Sequence, residues 1–244
     1  GNLIINGTNF TSTSGTVVIN KFLAISTGNF IHNNGKFSFT ISNSPKTISG
    51  TYTLYNVEIR GSATHNLGTS DVVTVENDLT FVGQAATVNN GAMEVKGNLI
   101  IQGPKVGSTL IKFTGNNSQH FFGSTSIYTQ FTNIAIVKPA NSTLFLHDKL
   151  SLLGVLNYVS GIFDATTYNS DVILGRTNGI GSLAITGSFA LNNIQVPGQQ
   201  TITLGATDVL TVEGNYTSGG SNVSGGKIHL KGDFDLNQTK NGST

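Results

Sequence analysis

Apolar and polar residues alternate along this chain in short runs, and the runs are joined by polar corners. Met93–Ile101 (MEVKGNLII) shows the unit: apolar, polar, apolar, then Lys96-Gly97-Asn98, then apolar, any residue, apolar. Alternation of period two marks a strand with one face buried, so the unit predicts strand, sharp bend, strand. The same template fits Val17–Ile25, Val73–Phe81, Leu144–Leu152 and Ile228–Leu236, while Leu210–Ser218 fits with a polar last position. The middle corner residue is Lys21, Asn77, Gly97, Asp148, Gly214 and Gly232 in turn. Gly, Asn and Asp take positive φ most readily, which makes a left-handed backbone the expected reason for the corner.

Neighbouring copies start 93 − 73 = 20 and 228 − 210 = 18 residues apart, and the wider gaps, 73 − 17 = 56 and 144 − 93 = 51, lie near multiples of that step. Recurrence at this length is the mark of a solenoid, in which each coil covers the open edge of the next. A longer repeat lies over it. Gly50–Asp78 aligns without gaps on Gly187–Asn215, 187 − 50 = 137 residues on, through Leu54/Leu191, Asn56/Asn193, Gly68/Gly205, Asp71/Asp208 and Glu76/Glu213. Several coils have been duplicated. The expectation is an all-β chain, a parallel β-helix (β-solenoid) with coils of about 20 residues, forming one domain over residues 1–244. About twelve coils at ~4.8 Å would make a rod on the order of 55–60 Å long. Antiparallel sandwich modules are the competing fold, with hairpins at Asn34-Gly35 and Asn90-Gly91. The short echoes favour the solenoid, because sandwich strands have no reason to repeat one corner. Ser42–Lys46, Gly103–Ser108 and Ser218–Gly226 read as loops bulging from coils.

Composition sharpens this picture. Charged residues make up 10% of the chain, against ~25% in ordinary soluble domains. The remainder is rich in Thr, Ser, Asn and Gly, and no stretch combines helical periodicity with capping signals. A net charge of +1 with scattered basic residues, Arg only at Arg60 and Arg176, argues against a nucleic-acid partner. No apolar run of about 18 residues is present, so no helical membrane span is expected. The absence of Cys excludes disulfides, thiol catalysis and zinc-thiolate sites. Residue 1 already sits inside a repeat, which reads as a processed product or a segment of a longer array.

The residues capable of chemistry are better explained by structure. Asp71 and Asp208 precede strands in matching places, with Glu76 and Glu213 five residues on. A calcium ladder needs several converging oxygens, whereas an Asp that closes its own turn and a Glu in solvent need nothing more. Asp233 and Asp235 form a two-member version of the same pattern. Asp164 with Asp171, or Asp148 beside Lys149, would serve glycoside cleavage only across a substrate groove. His32, His65, His120, His147 and His229 share no i, i+2 spacing that would put two ligands on one strand face. Phe37, Phe39, Phe81, Phe113, Phe121 and Phe163 fall on apolar positions as core rungs, while Tyr52, Tyr55, Tyr158 and Tyr168 are candidates for an exposed sugar-binding strip. Sequons occur at Asn6, Asn9, Asn116, Asn141, Asn215, Asn222, Asn237 and Asn241, about as often as composition alone would give. No catalytic, cofactor-binding or metal-ligating residue is assigned, no cofactor is expected, and the chain reads as a non-enzyme.

One resemblance adds to this reading. Phe113-Thr114-Gly115, Gln119-His120-Phe121-Phe122-Gly123, Phe131-Thr132-Asn133-Ile134-Ala135-Ile136 and Ser142-Thr143-Leu144-Phe145-Leu146 follow one another in order. That order resembles the repeats of large secreted surface proteins of Bacteroidota, adhesin-like β-solenoids broadly similar to filamentous-haemagglutinin-type rods. The match covers about residues 109–175 and carries no functional residues. It implies a structural or adhesive solenoid, extracellular or on the bacterial surface, stacked end to end with further repeats or copies of itself in a fibre or filament. A carbohydrate-binding or carbohydrate-cleaving β-helix, with surface glycans as partners, is the alternative.

Overall fold

The computed structural model describes residues 2–7, 9–26, 30–40, 45–83, 86–103, 105–123, 130–175 and 180–236. Every strand pairing among them is parallel, so the hairpins of a sandwich are excluded. The chain is a β-solenoid of about ten coils of about 21 residues. A coil has three sides. In one of them Thr64–Leu67 forms the first side, Val72–Val75 the second and Leu79–Val82 the third. The next coil lays Ala86–Asn89, Ala92–Val95 and Leu99–Ile101 on them in register. Phe131–Val137 and Lys149–Ser160 run unbroken through the corner between the first two sides, which merge there into one sheet.

Alternation along each strand builds the core. Inward residues stack in rows along the axis, such as Ile19, Phe39, Ile59, Phe81 and Ile101, all nearly or fully buried. Phe37, Phe113, Phe121 and Phe163 are buried in the same way, as the apolar pattern predicts. Coil length varies. Met93 pairs with Ile111, 111 − 93 = 18 residues on, and Leu156 with Ile185, 185 − 156 = 29 on. The added residues make fewer coils than a uniform step of twenty would give, and a rod of about 50 Å at ~4.8 Å per coil.

The recurring corner proves to occupy two different vertices. Glu76-Asn77-Asp78 and Lys96-Gly97-Asn98 join the second side to the third, whereas Lys231-Gly232-Asp233 joins the third to the first. The 20- and 18-residue spacings are true coil steps, and the wider gaps mix vertices. Nor is positive φ the rule at these corners. Of the six middle residues only Asp148 has it, at 60°. Gly97 is needed for space instead: a Cβ there would stand 2.1 Å from the carbonyl oxygen of Asn77 in the preceding coil. Gly232 is pressed against the Gly214 carbonyl in the same way, at 2.2 Å.

The third corner residue supplies a ladder. Asn56 Oδ1 accepts the Asp78 N–H at 3.2 Å, Asp78 Oδ1 the Asn98 N–H at 3.1 Å, and Asn98 Oδ1 the His120 N–H at 2.9 Å. At the other vertex Asn193 Oδ1 accepts from Asn215 at 2.9 Å and Asn215 Oδ1 from Asp233 at 3.3 Å. At these third positions the amide is thus satisfied by a side chain one coil below, while Glu76, Asn77, Lys96, Gly214 and Lys231 donate to backbone carbonyls there.

The duplicated blocks are related by a third of a turn. Val72–Val75 lies on the second side and its counterpart Val209–Val212 on the third, while Asn56–Arg60 lies on the third and Asn193–Val196 on the first. One sequence therefore serves any side. Two of the three expected loops contain strands of the coils, Lys105–Val106 and Asn222–Ser224, while residues 42–44 of Ser42–Lys46 and Pro104 of Gly103–Ser108 lie outside the described residues. Asn33, Asn34, Asn90 and Gly91 do have positive φ, but they turn corners between parallel strands.

Space and conformation make different demands at the corner. Gly97→Ala and Gly97→Asn should each destabilise the fold by roughly 1–3 kcal/mol, the cost of forcing atoms into a filled site. Asp148→Gly should be neutral or stabilising by up to about 1 kcal/mol, since it relieves a positive φ. Urea denaturation of the three variants checks both; a tolerated Gly97→Asn would restore the conformational explanation.

Candidate functional site

The third side carries the most unusual outward surface. In Gln119–Phe122 alternation sends Gln119 and Phe121 inward and His120 and Phe122 outward. In Thr143–His147 it sends Leu144 and Leu146 inward and Phe145 and His147 outward. The register sets His120 beside Phe145 and Phe122 beside His147. The two histidines therefore meet diagonally, with His120 Nδ1 and His147 Nε2 2.8 Å apart. One ring donates and the other accepts. His120 stacks against Phe122 and Phe145, at ring centroid distances of 5.7 and 5.2 Å. His147 packs against Phe122 at 4.5 Å and stacks on Tyr168 at 3.6 Å.

Tyr168 is placed by the following turn. Asp164 accepts from the N–H and hydroxyl of both Thr166 and Thr167, and Ser170 Oγ donates to the Leu146 carbonyl at 2.6 Å. Burial works to raise the Asp164 pKa, but these hydrogen bonds outweigh it and hold the carboxyl below its ordinary range. His147 titrates below an ordinary imidazole because of burial first and the neighbouring His120 charge second, with Asp148 opposing. Among the five rings Phe122 and Tyr168 are the most open, 36% and 46% exposed.

Beneath this surface lies a buried polar anchor. The Gln119 side chain accepts the Gly115 N–H at 3.0 Å and donates to the carbonyls of Val95, at 2.9 Å, and Gly97 in the coil below. Lys138 Nζ donates to the Gly115 carbonyl at 2.8 Å, the Asn117 carbonyl at 3.0 Å and Gln119 Oε1 at 2.5 Å. Ser142 Oγ meets the same two carbonyls. The spacing of Gly115 and Gln119 thus has a physical basis: the glutamine closes its own bend and pins it to the preceding coil. Burial lowers the Lys138 pKa to about 8, so the three oxygens still face an ammonium at neutral pH.

The other candidates are occupied with holding coils together. Asp71 Oδ2 accepts the N–H of Gly68 in its own turn at 3.0 Å and of Gly50 in the preceding coil at 2.9 Å; Asp208 accepts from Gly187 at 2.7 Å. Glu76 and Glu213 pair with Lys96 and Lys231 one coil on, at 2.7 and 2.8 Å. Asp171 Oδ1 accepts from the Asn193 side chain at 3.1 Å. Glu58 is held at about 2, chiefly by Arg60 against the cost of burial, with Ser38 and Lys36 adding hydrogen bonds. Among the described residues no three of His, Asp and Glu converge as a metal site. Of the four tyrosines only Tyr168 is open: Tyr52 is buried, Tyr55 stacks on His32, and the Tyr158 hydroxyl donates to the Gly161 carbonyl. The sequon residues Asn6, Asn9, Asn116, Asn141, Asn215 and Asn222 are exposed, while Arg176, Asn237 and Asn241 lie outside the described residues.

The meeting of His120 and His147 is invisible to any search for short spacing, because they are 147 − 120 = 27 residues apart. Aligning QHFF on TLFLH as successive coils is the signal that finds it. Comparison with protein-family models, with curated proteins and with solved structures gave no match.

Two predictions follow from the buried groups. His65 is fully buried beside Phe39 and Lys46, and neither ring nitrogen has a hydrogen-bond partner among the described residues. Burial, then the Lys46 charge, lowers its pKa to about 4 from the ordinary 6.5. Between those values the unfolded chain holds the extra proton, so stability should fall by up to about 3 kcal/mol as pH drops from about 6.5 to about 4. His65→Leu should remove that part of the acid sensitivity, as read from urea midpoints at pH 7.5 and 4.5. Lys138→Met strips a donor from two buried oxygens and one part-buried oxygen and should cost roughly 2–3 kcal/mol by the same measurement.

Proposed function

We propose that this chain is a structural or adhesive extracellular solenoid whose end coils are covered by further coils of the same geometry, in a fibre built end to end. The observation that carries this reading is the state of the core at the C-terminal end. Tyr216, Ile228, Leu230, Phe234 and Leu236 rim an apolar depression of about 250 Å³. Phe234 and Leu236 are 52% and 43% exposed, whereas Ile194 and Val196, two coils below on the same side, are buried. Among the described residues Phe234–Leu236 pairs on one edge alone, with Tyr216–Ser218, and its other edge offers the backbone groups that a stacked coil would pair. At the other end Leu3–Ile5, Phe10–Thr11 and Thr16–Ile19 present one strand per side. Stacking one end on the other is a heterologous contact that does not close, which builds a filament. The low charge and outward Thr, Ser and Asn suit such a role, as does the resemblance to surface solenoids of Bacteroidota.

A second reading, carbohydrate binding, is favoured by the exposed rings of Phe122 and Tyr168 on the third side. Glycan-array binding that is lost in Tyr168→Ala would support it.

Sedimentation velocity and negative-stain imaging over a concentration series test the main reading. Rods that lengthen with concentration are expected, and Phe234→Lys should shorten them to single units. A monomer at every concentration, with the amides of residues 3–5 and 234–236 protected from hydrogen exchange, would overturn it.

A further inference from the structure

We propose that His120 and His147 form a two-histidine chelate for a borderline divalent cation of the copper, nickel or zinc type. Three features of the third side carry this. First, the nitrogens already converge. Two imidazoles bound cis to one metal at about 2.0–2.1 Å have nitrogens roughly 2.9–3.3 Å apart, and the observed separation is 2.8 Å. Admitting the ion takes a slight widening of this gap and a turn of both rings, so that the two lone pairs converge on the metal and no longer on each other.

Second, the rings are held in place. His120 lies between Phe122 and Phe145, and His147 between Phe122 and Tyr168. Both backbones are fixed by parallel register on adjacent coils. Little freedom remains to be lost on binding, which is the usual cost of assembling a site from separate strands.

Third, the pair stands on the outer face, partly exposed, so an ion enters without disturbing the core. In the free protein one ring donates its N–H to the other. For both nitrogens to bind, the donor's proton moves through solvent to its other ring nitrogen, which leaves both rings neutral. No charge is gained or lost by the protein. Imidazole ligands select copper, nickel and zinc over calcium and magnesium, and copper should bind tightest. Water completes the shell.

Calorimetric titration of the 244-residue chain with Ni²⁺ and with Cu²⁺ tests this. One ion per chain is expected, with affinity at least tenfold lower in His120→Asn and in His147→Asn and unchanged in His229→Asn. Nickel should raise the melting temperature of the wild type and of His229→Asn, and not of the other two. Equal binding by all four proteins, or an equal loss in His229→Asn, means ordinary surface histidines only and overturns the proposal. Should a variant fail to fold by circular dichroism, the Cu²⁺ spin-resonance spectrum of the wild type decides: coupling to two nitrogens supports the chelate and coupling to one overturns it.

Discussion

Everything in this molecule follows from the distance between successive coils at the corners. Strands can stack at ~4.8 Å only if the bends that join them stack as closely. Side chains beyond Cβ then have few places to go, and every corner amide must find a partner in the coil above or below. Gly97 and Gly232 answer the first demand by leaving room for a neighbouring carbonyl. Asn56, Asp78, Asn98, Asn193 and Asn215 answer the second with a side-chain oxygen of the right reach. Where the bend is wider, Gln119 accepts the amide of Gly115, and Gln119 and Lys138 donate to the carbonyls around it. The low charge of the chain suits this, since short polar side chains such as Asn56, Asn98, Ser170 and Asn193 reach the backbone of a neighbouring coil.

The same constraint makes the three sides nearly interchangeable. Gly50 and Gly187 both have positive φ, both precede a short strand, and both donate to the carboxylate of an Asp one coil ahead. Yet they sit at different vertices. What a corner requires is a stacked partner and not a particular side, so a block of coils is free to be copied at a rotated phase. The ion pairs Glu76–Lys96, Glu94–Lys112 and Glu213–Lys231 travel with the strands they flank. They are partly exposed, and pairs of that kind contribute little to stability. Register, not charge, holds the coils.

This explains what the sequence disclosed and what it hid. Alternation in MEVKGNLII and its copies exposed the strands, the core rows and the coil step, because burial of one face is a local property of each run. In the sequence alone Gly97 reads as a conformational requirement, since a requirement for empty space depends on the coil beneath. Ser218–Gly226 looked like a loop, yet it holds the strand Asn222–Ser224 and a buried cluster of Ser218 and Ser221 hydroxyls. Coil strands this short need backbone pairing more than side-chain propensity. His120 and His147 escaped notice for a related reason. Their meeting depends on which coil follows which and by how many residues, and a variable coil length conceals that from any fixed period.

Interior rows repeat the same apolar chemistry from one coil to the next, so they carry structure and little information. The outward rows differ. Along one row of the third side the register reads Val18, Ser38, Glu58, Thr80, Ile100, Phe122 and His147. Polar and small residues give way to large rings over a few coils, with no change in backbone. A rigid ladder of this kind displays side chains at fixed intervals without ordering cost, which favours recognition by position along the axis. Function in such a chain is therefore best sought where an outward row departs from its own monotony. The stretch from Phe122 to Tyr168 is the clearest departure among the described residues, and it stands directly over the Gln119–Lys138 anchor that fixes its coils.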